Sequence, residues 1–250
     1  MSTVRSFDDA DAVAQAGAEE FVTLAAAAAG ARGRFMVALA GGSTPRRMYR
    51  LLAEPAWRDR VAWDRVEVFW GDERAVPPDH ADSNYHMAAT ALLERVPVPS
   101  GRVHRIRAEA ADLADAAREY QAEIARVFGV PEDGPPPAFD LILLGMGADG
   151  HTASLFPGTT GLDERRRWVV SHAVPSMRTE RVTLTLPIIN RAREIRFLVT
   201  GEDKAGRLRE ALTPPRGTPL PVQRVAPEAG RLVWLADRAA AGTPAPVARS

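Results

Sequence analysis

Short apolar segments of strand length alternate along this chain with longer segments of helical periodicity. The segments RFMVAL (34–39) and FDLILL (139–144) lack the regular polar positions of a strand with one solvated face. Between them, residues 112–128 carry apolar side chains at three- and four-residue spacing, as one face of a helix does. Strands buried on both faces are typical of parallel sheets covered by crossover helices. The pattern therefore predicts an α/β fold with a mostly parallel sheet and helices on both faces.

The domain organisation follows from the length of the chain and from the composition of its last residues. A single α/β domain commonly reaches 250 residues, and no linker separates two independent apolar cores in this sequence. We therefore predict one domain over residues 1–238. The segment AAAGTPAPVARS (239–250) is predicted to form a flexible tail.

Charge and cysteine content exclude several classes of protein. Lys+Arg and Asp+Glu both number 32, so the chain lacks the surplus positive charge of a general nucleic-acid or anionic-membrane binder. It has no cysteine, which excludes disulfides, thiolate nucleophiles and Cys-ligated metals. The sequence contains neither a run of about 20 apolar residues nor the apolar core of a signal peptide. We expect a cytoplasmic protein, monomeric or weakly dimeric, without nucleic-acid or membrane partners.

The segment LAGGSTP connects a predicted strand to a predicted helix. Gly41 and Gly42 allow a sharp turn and a close approach of the backbone to a ligand. Thr44 is predicted as the helix N-cap and Pro45 as the first helical residue, with the Ser43 hydroxyl beside them. The N–H groups of that helix end would then form an anion site. A β-to-α turn without a ligand explains the same residues, so this segment alone leaves phosphate binding open.

The segment WGDER (70–74) follows the next predicted strand, so it is expected at the same edge of a parallel sheet. The carboxylates of Asp72 and Glu73 can exchange protons or hydrogen-bond the hydroxyls of a sugar. Arg74 can bind a phosphate or neutralise those carboxylates. A charged surface turn is the commoner use of such residues, and both interpretations stay open here.

The segment GMGADGH (145–151) follows the predicted central strand. Its glycines match a dinucleotide-binding fingerprint, but Pro157 stops the long helix that the fingerprint requires. The next predicted strand also lacks the acid that would bind the ribose. What remains is a glycine loop that presents Asp149 and His151, and an imidazole beside a carboxylate is a common arrangement for activating water. A structural histidine that caps the loop is the alternative.

Two cations belong to later predicted strands. Arg181 begins the segment RVTLTLPIIN, and Lys204, the only lysine, follows another strand. Both can reach the same sheet edge, or both are solvated surface cations.

Metal chemistry is not indicated, because the sequence has no HExxH or comparable ligand spacing. His104 and His172 fall in predicted strands and are expected to pack in the core, so we predict no metal and no cofactor.

Together these segments resemble the 6-phosphogluconolactonase family, over about residues 5–236. The motifs that carry the resemblance are AGGSTP, WGDERAVPPDHADSNY, FDLILLGMGADGHTASLFPG, RVTLTLPIIN and GEDK. The resemblance implies a Rossmann-like α/β domain that hydrolyses 6-phospho-D-glucono-1,5-lactone to 6-phospho-D-gluconate without metal or nucleotide, with His151 as the general base. One departure is local: VPSMRTE stands where family members often have a Lys/Pro-rich turn, which leaves the role of Arg178 open.

Given that resemblance, we expect His151 to take a proton from water as the water attacks C1, with Asp149 orienting the imidazole. The residues expected to bind the substrate or its phosphate are Gly41, Gly42, Ser43, Thr44, Asp72, Arg74, Arg181 and Lys204.

Glucosamine-6-phosphate deaminase is the nearest alternative, but it would show Asp-Glu-Tyr and apolar-Asn-Glu-Pro sequences where this chain reads DER and SLFP. A non-catalytic sugar-phosphate sensor is the other alternative, and such modules are usually attached to a DNA-binding domain. This chain has no basic helix-turn-helix segment.

Overall fold

The computed structural model describes residues 3–242 and contains two β-sheets. The strands within this range are β1 Thr3–Phe7, β2 Phe35–Leu39, β3 Val66–Trp70, β4 Asp72–Arg74, β5 Leu141–Leu144, β6 Val169–Val174, β7 Thr179–Leu184, β8 Glu194–Val199 and β9 Arg231–Asp237. The helices are α1 Ala10–Arg32, α2 Ser43–Leu52, α3 Pro55–Arg58, α4 Asn84–Ala91, α5 Leu113–Phe128, α6 Thr160–Asp163, α7 Leu186–Ile189, α8 Ala205–Ala211 and α9 Arg238–Ala241.

The larger sheet has six strands in the order β1-β9-β8-β5-β2-β3, and every pairing in it is parallel. The central strands β2, β5 and β8 are buried at every residue. Burial on both faces explains why β2 and β5 contain only apolar residues, whereas in β8 the buried Arg196 is paired with Glu194. The chain moves towards β3 through α1 and α2 and returns through α5 and α8. Right-handed crossovers place these two pairs of helices on opposite faces of the sheet. The α/β fold predicted from the sequence is confirmed.

Three of the longer helices begin at residues whose side chains accept hydrogen bonds from the first turn of the helix. Asp9 caps α1 and Asp112 caps α5 in this way. The sequence predicts a helix over residues 84–95 with Ser83 as its N-cap, and Ser83 caps α4 by accepting a hydrogen bond from a first-turn N–H at 3.1 Å. None of the helices within residues 3–242 combines the length and the apolar character needed to cross a membrane.

The smaller sheet is antiparallel and has the order β4-β7-β6. The apolar patterns of residues 168–173 and 182–186 predict two further strands of the mostly parallel sheet, whereas these segments pair with each other in this separate sheet. The reason is the connection, because a parallel crossover needs about a dozen residues and the turn here spans only residues 175–178. Arg178 is the exposed, left-handed residue of that turn, with φ of 50°.

The C-terminal part of the described chain is ordered beyond the predicted domain end. Residues 239–241, which we predicted to begin a flexible tail over 239–250, lie in α9. Ala240 is fully buried, and its N–H donates to Oδ1 of Asp237 at 2.7 Å. Residues 243–250 of the predicted tail lie outside the described residues.

A partly buried cluster of ionisable side chains joins β3 to α5. Oε2 of Glu67 lies 3.0 Å from Nε2 of His104, and Nδ1 of His104 lies 2.7 Å from Oε1 of Glu123. Arg102 donates to the other carboxylate oxygen of Glu67. Phe69 stacks on the imidazole with ring centroids 4.5 Å apart. His104 is therefore buried, as predicted, but it lies outside any strand and at the centre of a hydrogen-bond network with two carboxylates.

This cluster should make the stability of the fold sensitive to acid. Burial alone would raise the pKa of Glu67, but the hydrogen bond from His104 and the charge of Arg102 hold it below its ordinary value. A carboxyl group with a lowered folded-state pKa stabilises the fold above its unfolded pKa, and that stabilisation is lost as pH falls through the folded pKa. At neutral pH, Glu67→Gln should lower the free energy of unfolding by about 1–3 kcal/mol.

The difference in unfolding free energy between wild type and Glu67→Gln should shrink as pH falls below the unfolded pKa of glutamate, about 4.3, and through the lower folded-state pKa, since wild-type Glu67 becomes protonated over that range. Urea unfolding over this range measures the difference. Glu119→Gln, at an exposed position of α5, is the control and should change stability little at any pH. A Glu67→Gln difference that does not vary with pH would contradict this account of the cluster.

Candidate active site

A cleft of about 270 Å³ opens where the loops after β2, β3, β5 and β8 meet. The carboxyl ends of parallel strands lie at this edge, which is where open α/β sheets bind ligands. The cleft is lined by the following residues that the sequence analysis selected: Gly41, Gly42, Ser43, Thr44, Asp72, Arg74, His151 and Lys204. Two larger depressions, of about 810 and 820 Å³, lie elsewhere and contain none of these side chains. The chemistry predicted from the sequence therefore converges in the smaller cleft.

The first turn of α2 contributes to this cleft without a side-chain cap. The prediction that Thr44 is the N-cap is wrong, because Gly42 occupies the N-cap position with φ of 105° and the helix begins at Ser43. The Thr44 hydroxyl instead hydrogen-bonds the Thr200 hydroxyl at 2.7 Å, which ties α2 to the end of β8. No side chain within the described range accepts from the first N–H groups of α2. These donors are therefore oriented to bind an anion.

The loop after β5 is held by several backbone hydrogen bonds. The Gly147 N–H donates to the carbonyl of His151 at 2.9 Å, and the Gly150 N–H donates to the carbonyl of Gly147 at 3.0 Å. From α8, Nε of Arg207 donates to the carbonyl of Ala148 at 3.0 Å. The loop thus presents His151 from a backbone fixed on several sides.

Two observations bear on cofactors. The glycine loop is followed by α6, a single turn, rather than by the long helix that a dinucleotide site uses. Across residues 3–242, no three His, Asp or Glu side chains come together in a group that could hold a metal ion.

The imidazole of His151 is fixed on two sides. Its Nδ1 lies 2.6 Å from Oδ1 of Asp149, and its ring stacks on Phe156 with centroids 4.0 Å apart and planes at 25°. Partial burial would raise the pKa of Asp149, but hydrogen bonds from the backbone and ring of His151 hold it below its ordinary value. Asp149 is thus an anion at neutral pH and favours the tautomer with the proton on Nδ1. Nε2 is then the nitrogen with a lone pair to accept a proton.

Gly147 leaves the space that this imidazole occupies. A Cβ atom at position 147 would lie 2.1 Å from Cε1 and Nδ1 of His151 and 2.7 Å from Oδ1 of Asp149. Gly147→Ala should therefore push the ring away from Asp149. Displacing a catalytic group by about 1 Å can cost about 100-fold in rate, so we expect a loss of about that size in kcat.

Steady-state kinetics on the protein's substrate, with thermal unfolding to check the fold, measure this effect. Gly206→Ala in α8 is the control, because a Cβ there has no neighbour within 4 Å and the activity should be unchanged. If Gly147→Ala were as active as Gly206→Ala, the position of the imidazole would not matter.

The two neighbouring carboxylates after β3 have separate roles. Asp72, only 8% exposed, lines the cleft and accepts hydrogen bonds from Oγ of Ser154 at 2.6 Å and from Nδ2 of Asn84 at 3.2 Å. Glu73 accepts from the Ser83 hydroxyl and from the first N–H groups of α4. Burial raises the pKa of Glu73, and these backbone hydrogen bonds oppose the rise. Asp72 therefore faces the site, whereas Glu73 anchors α4.

The three candidate cations are not equivalent. Lys204 lines the cleft, with Nζ 3.1 Å from Oδ2 of Asp203, and Arg74 lines it as well. Arg181 lies beside Arg74 in the β4–β7 ladder but outside the set of cleft residues, and its guanidinium donates to Oγ1 of Thr179 at 2.7 Å. Burial, together with the charge of Arg74, lowers the pKa of Arg181. Lys204 and Arg74 therefore line the cleft, whereas Arg181 lies outside the set of residues that line it.

Three residues at the site were not selected from the sequence. Asn84 and Thr200 line the cleft, and Phe156 stacks on the imidazole of His151. Asn84 directly follows the correctly predicted helix cap, so its place at the start of α4 was available as a signal. For Thr200 and Phe156, the sequence offered only their positions just after a strand and just after the glycine loop.

The fold and the cleft define an α/β protein with a histidine–carboxylate pair, a lysine and an uncapped helix start at one sheet edge. The sequence profile of the family described as glucosamine-6-phosphate isomerases/6-phosphogluconolactonase matches residues 8–234. The chain belongs to this family.

Individual relatives agree with this assignment. A 6-phosphogluconolactonase of Synechocystis sp. is 43% identical over 210 residues, which cover 84% of each chain. The structure of 6-phosphogluconolactonase from Trypanosoma cruzi is 29% identical with a TM-score of 0.83, covering 97% of this chain and 96% of that one. A monomeric glucosamine-6-phosphate deaminase has a TM-score of 0.80, covering 97% of this chain and 100% of that one. Its identity is only 19%, so this likeness shows the fold alone.

Proposed function

We propose that this chain hydrolyses 6-phospho-D-glucono-1,5-lactone to 6-phospho-D-gluconate, the second step of the oxidative pentose phosphate pathway. The observation that carries the proposal is that His151, held by Asp149 at 2.6 Å, shares one cleft with Lys204 and the uncapped start of α2. A proton acceptor and an anion site thus lie within one small cavity. The relative from Synechocystis sp. named above, at 43% identity, supports the same reaction.

The substrate would bind with its phosphate at the α2 end of the cleft. The first N–H groups of α2, the hydroxyls of Ser43 and Thr44 and the ammonium of Lys204 supply donors of the kind that phosphate oxygens accept. Arg74 adds a second positive charge to the same cleft. We leave Arg181 out of this set, because its guanidinium is bonded to Thr179 within the small sheet.

The reaction needs a base and a group that orients this base. Water attacks C1 directly, so no covalent bond forms between the enzyme and the substrate. Nε2 of His151 takes a proton from a water molecule while the water oxygen bonds to C1, and the carbonyl electron pair moves onto its oxygen. Collapse of this tetrahedral intermediate breaks the bond from C1 to the ring oxygen. The imidazolium then returns its proton to that oxygen, which becomes a hydroxyl. Asp149 stays ionised, holds the tautomer and stabilises the transient imidazolium, the role that a buried Asp has in serine-protease triads.

The proposed partners and location of the protein follow from the nature of the substrate and from the net charge of the chain. A small diffusible sugar phosphate needs neither a nucleic-acid nor a membrane partner, and the equal numbers of acidic and basic residues agree with that. We propose that the protein acts in the cytoplasm, as a monomer or weak homodimer, with no metal or other cofactor.

The test is an assay of the purified protein on freshly prepared 6-phosphogluconolactone, corrected for spontaneous hydrolysis and run with EDTA present. Glucosamine 6-phosphate is the comparison substrate, with ammonia release as the readout. We expect fast lactone loss and no ammonia. Faster release of ammonia than loss of lactone would overturn the proposal in favour of a deaminase, and activity that needs added zinc or magnesium would overturn the metal-free mechanism.

A further inference from the structure

Asn84 lines the cleft and has had no part in the chemistry so far. It is the first residue of α4 and is only 3% exposed. Its Nδ2 donates to the carbonyl of Asp72 at 2.9 Å and to Oδ1 of the same residue at 3.2 Å. Because both amide hydrogens are committed to Asp72, the orientation of the amide is fixed and its Oδ1 must point elsewhere.

The Oδ1 atom of Asn84 lies against the glycine turn before α2. A Cβ atom at position 41 would lie 1.9 Å from this oxygen and 2.6 Å from Cγ of Asn84. Gly41 is therefore required for the amide to occupy this place, apart from any effect on the turn. Among residues 3–242, no donor is directed at Oδ1, so the cleft contains a fixed acceptor without a protein partner.

Asp72, the neighbour of Asn84, is held just as firmly. Its Oδ2 accepts from Oγ of Ser154 at 2.6 Å, and the Ser154 N–H donates to Oγ1 of Thr183 at 3.2 Å. The carbonyl of Ser154 accepts from Nε2 of His172 at 2.7 Å, so His172 is buried, as expected, but with a hydrogen-bonding role. The small sheet thus fixes Asp72, and Asp72 fixes Asn84. Together they present two acceptor groups side by side in the cleft.

We infer that Oδ1 of Asn84 accepts a hydrogen bond from one ring hydroxyl of the substrate and makes Asn84 a specificity-determining residue. This inference rests on the proposed function, since a polyhydroxylated lactone supplies the matching donors. A substrate that lacks the matching hydroxyl would bury Oδ1 without a partner, and sites built in this way reject such analogues strongly. Asp72 accepts from a neighbouring hydroxyl in the same arrangement.

The experiment compares the parent lactone with the lactones made from 2-deoxy-, 3-deoxy- and 4-deoxyglucose 6-phosphate. At one of the three positions, removal of the hydroxyl should lower the wild-type kcat/KM by roughly 5- to 100-fold through the unpaired Asn84 oxygen. Asn84→Ala should abolish the preference at that position and keep the preferences at the other two. Thr90→Ala, at an exposed position of α4, is the control and should keep all three preferences.

The outcomes separate this inference from the function on which it rests. If Asn84→Ala lowers kcat/KM by one factor for all four lactones, Asn84 only holds Asp72, and the inference is overturned. A wild-type enzyme that treats the deoxy lactones like the parent also overturns it, even if no Asn84 variant folds. Asn84→Ser, a small polar residue at the helix start, repeats the measurement if the alanine variant is unstable. A wild-type protein that hydrolyses none of the lactones contradicts the proposed function itself.

Discussion

Replacing His151 by asparagine is expected to lower kcat for the phosphorylated lactone by roughly 10²- to 10⁴-fold, the range typical of a lost general base. An asparagine amide approaches the imidazole in size and still forms hydrogen bonds, but it cannot accept a proton at neutral pH. The fold should survive, because the His151 side chain is 28% exposed and belongs to a loop rather than to the core. Turnover under saturating substrate, with circular dichroism and thermal unfolding on the same sample, measures both effects.

His86→Asn is the matched control for this change. His86 lies on α4 outside the cleft residues, so its replacement should leave kcat unchanged. A folded His151→Asn variant that keeps more than about a third of wild-type turnover would remove His151 from the general-base role.

Replacing Lys204 by alanine is expected to raise the KM for the phosphorylated lactone by about 10- to 150-fold, because a charge-assisted hydrogen bond is worth roughly 1.5–3 kcal/mol. Lys204 lines the same cleft as Ser43 and Thr44, and its side chain is 23% exposed. Unphosphorylated gluconolactone has no phosphate to bind, so its kcat/KM should change little. Lys204→Arg should recover only part of the loss, because the guanidinium is larger and directs its donors differently.

Arg209→Ala tests whether the Lys204 effect is only a change in net charge. Arg209 is an exposed cation on α8, five residues after Lys204 in the chain and outside the cleft residues. Its replacement should leave both lactones unaffected. If Lys204→Ala lowers kcat/KM by the same factor for both lactones, or lowers it for neither, the phosphate binds elsewhere.

The extent to which the fold could be predicted differs between its two sheets. The central strands β2 and β5 are buried on both faces, so their apolar runs predict a parallel sheet. The edge strand β1 is exposed over most of its length and was missed, because its sequence TVRSF has no such run. The direction in which β6 and β7 pair depends on the short turn between them, which hydrophobic pattern alone does not encode.

The same contrast holds at the site. Asp149 and His151 are two residues apart on one loop, so their pairing could be inferred from local sequence. Ser154 and Asp72 are 82 positions apart, and their hydrogen bond exists because the small sheet packs beside the glycine loop. Arg181 was expected at the cleft, but strand register sets it beside Arg74 and turns its guanidinium to Thr179. Contacts between distant segments were therefore the part that sequence reasoning could not supply.

A crystal structure with 6-phospho-D-gluconate bound would test the central claim most directly. We expect the phosphate within about 3 Å of Nζ of Lys204 and of the first N–H groups of α2, and a carboxylate oxygen on C1 within about 3 Å of Nε2 of His151. A phosphate bound beside His151 would contradict the account. So would a ligand bound in the depression of about 810 Å³ that is lined by Tyr85 and Arg105.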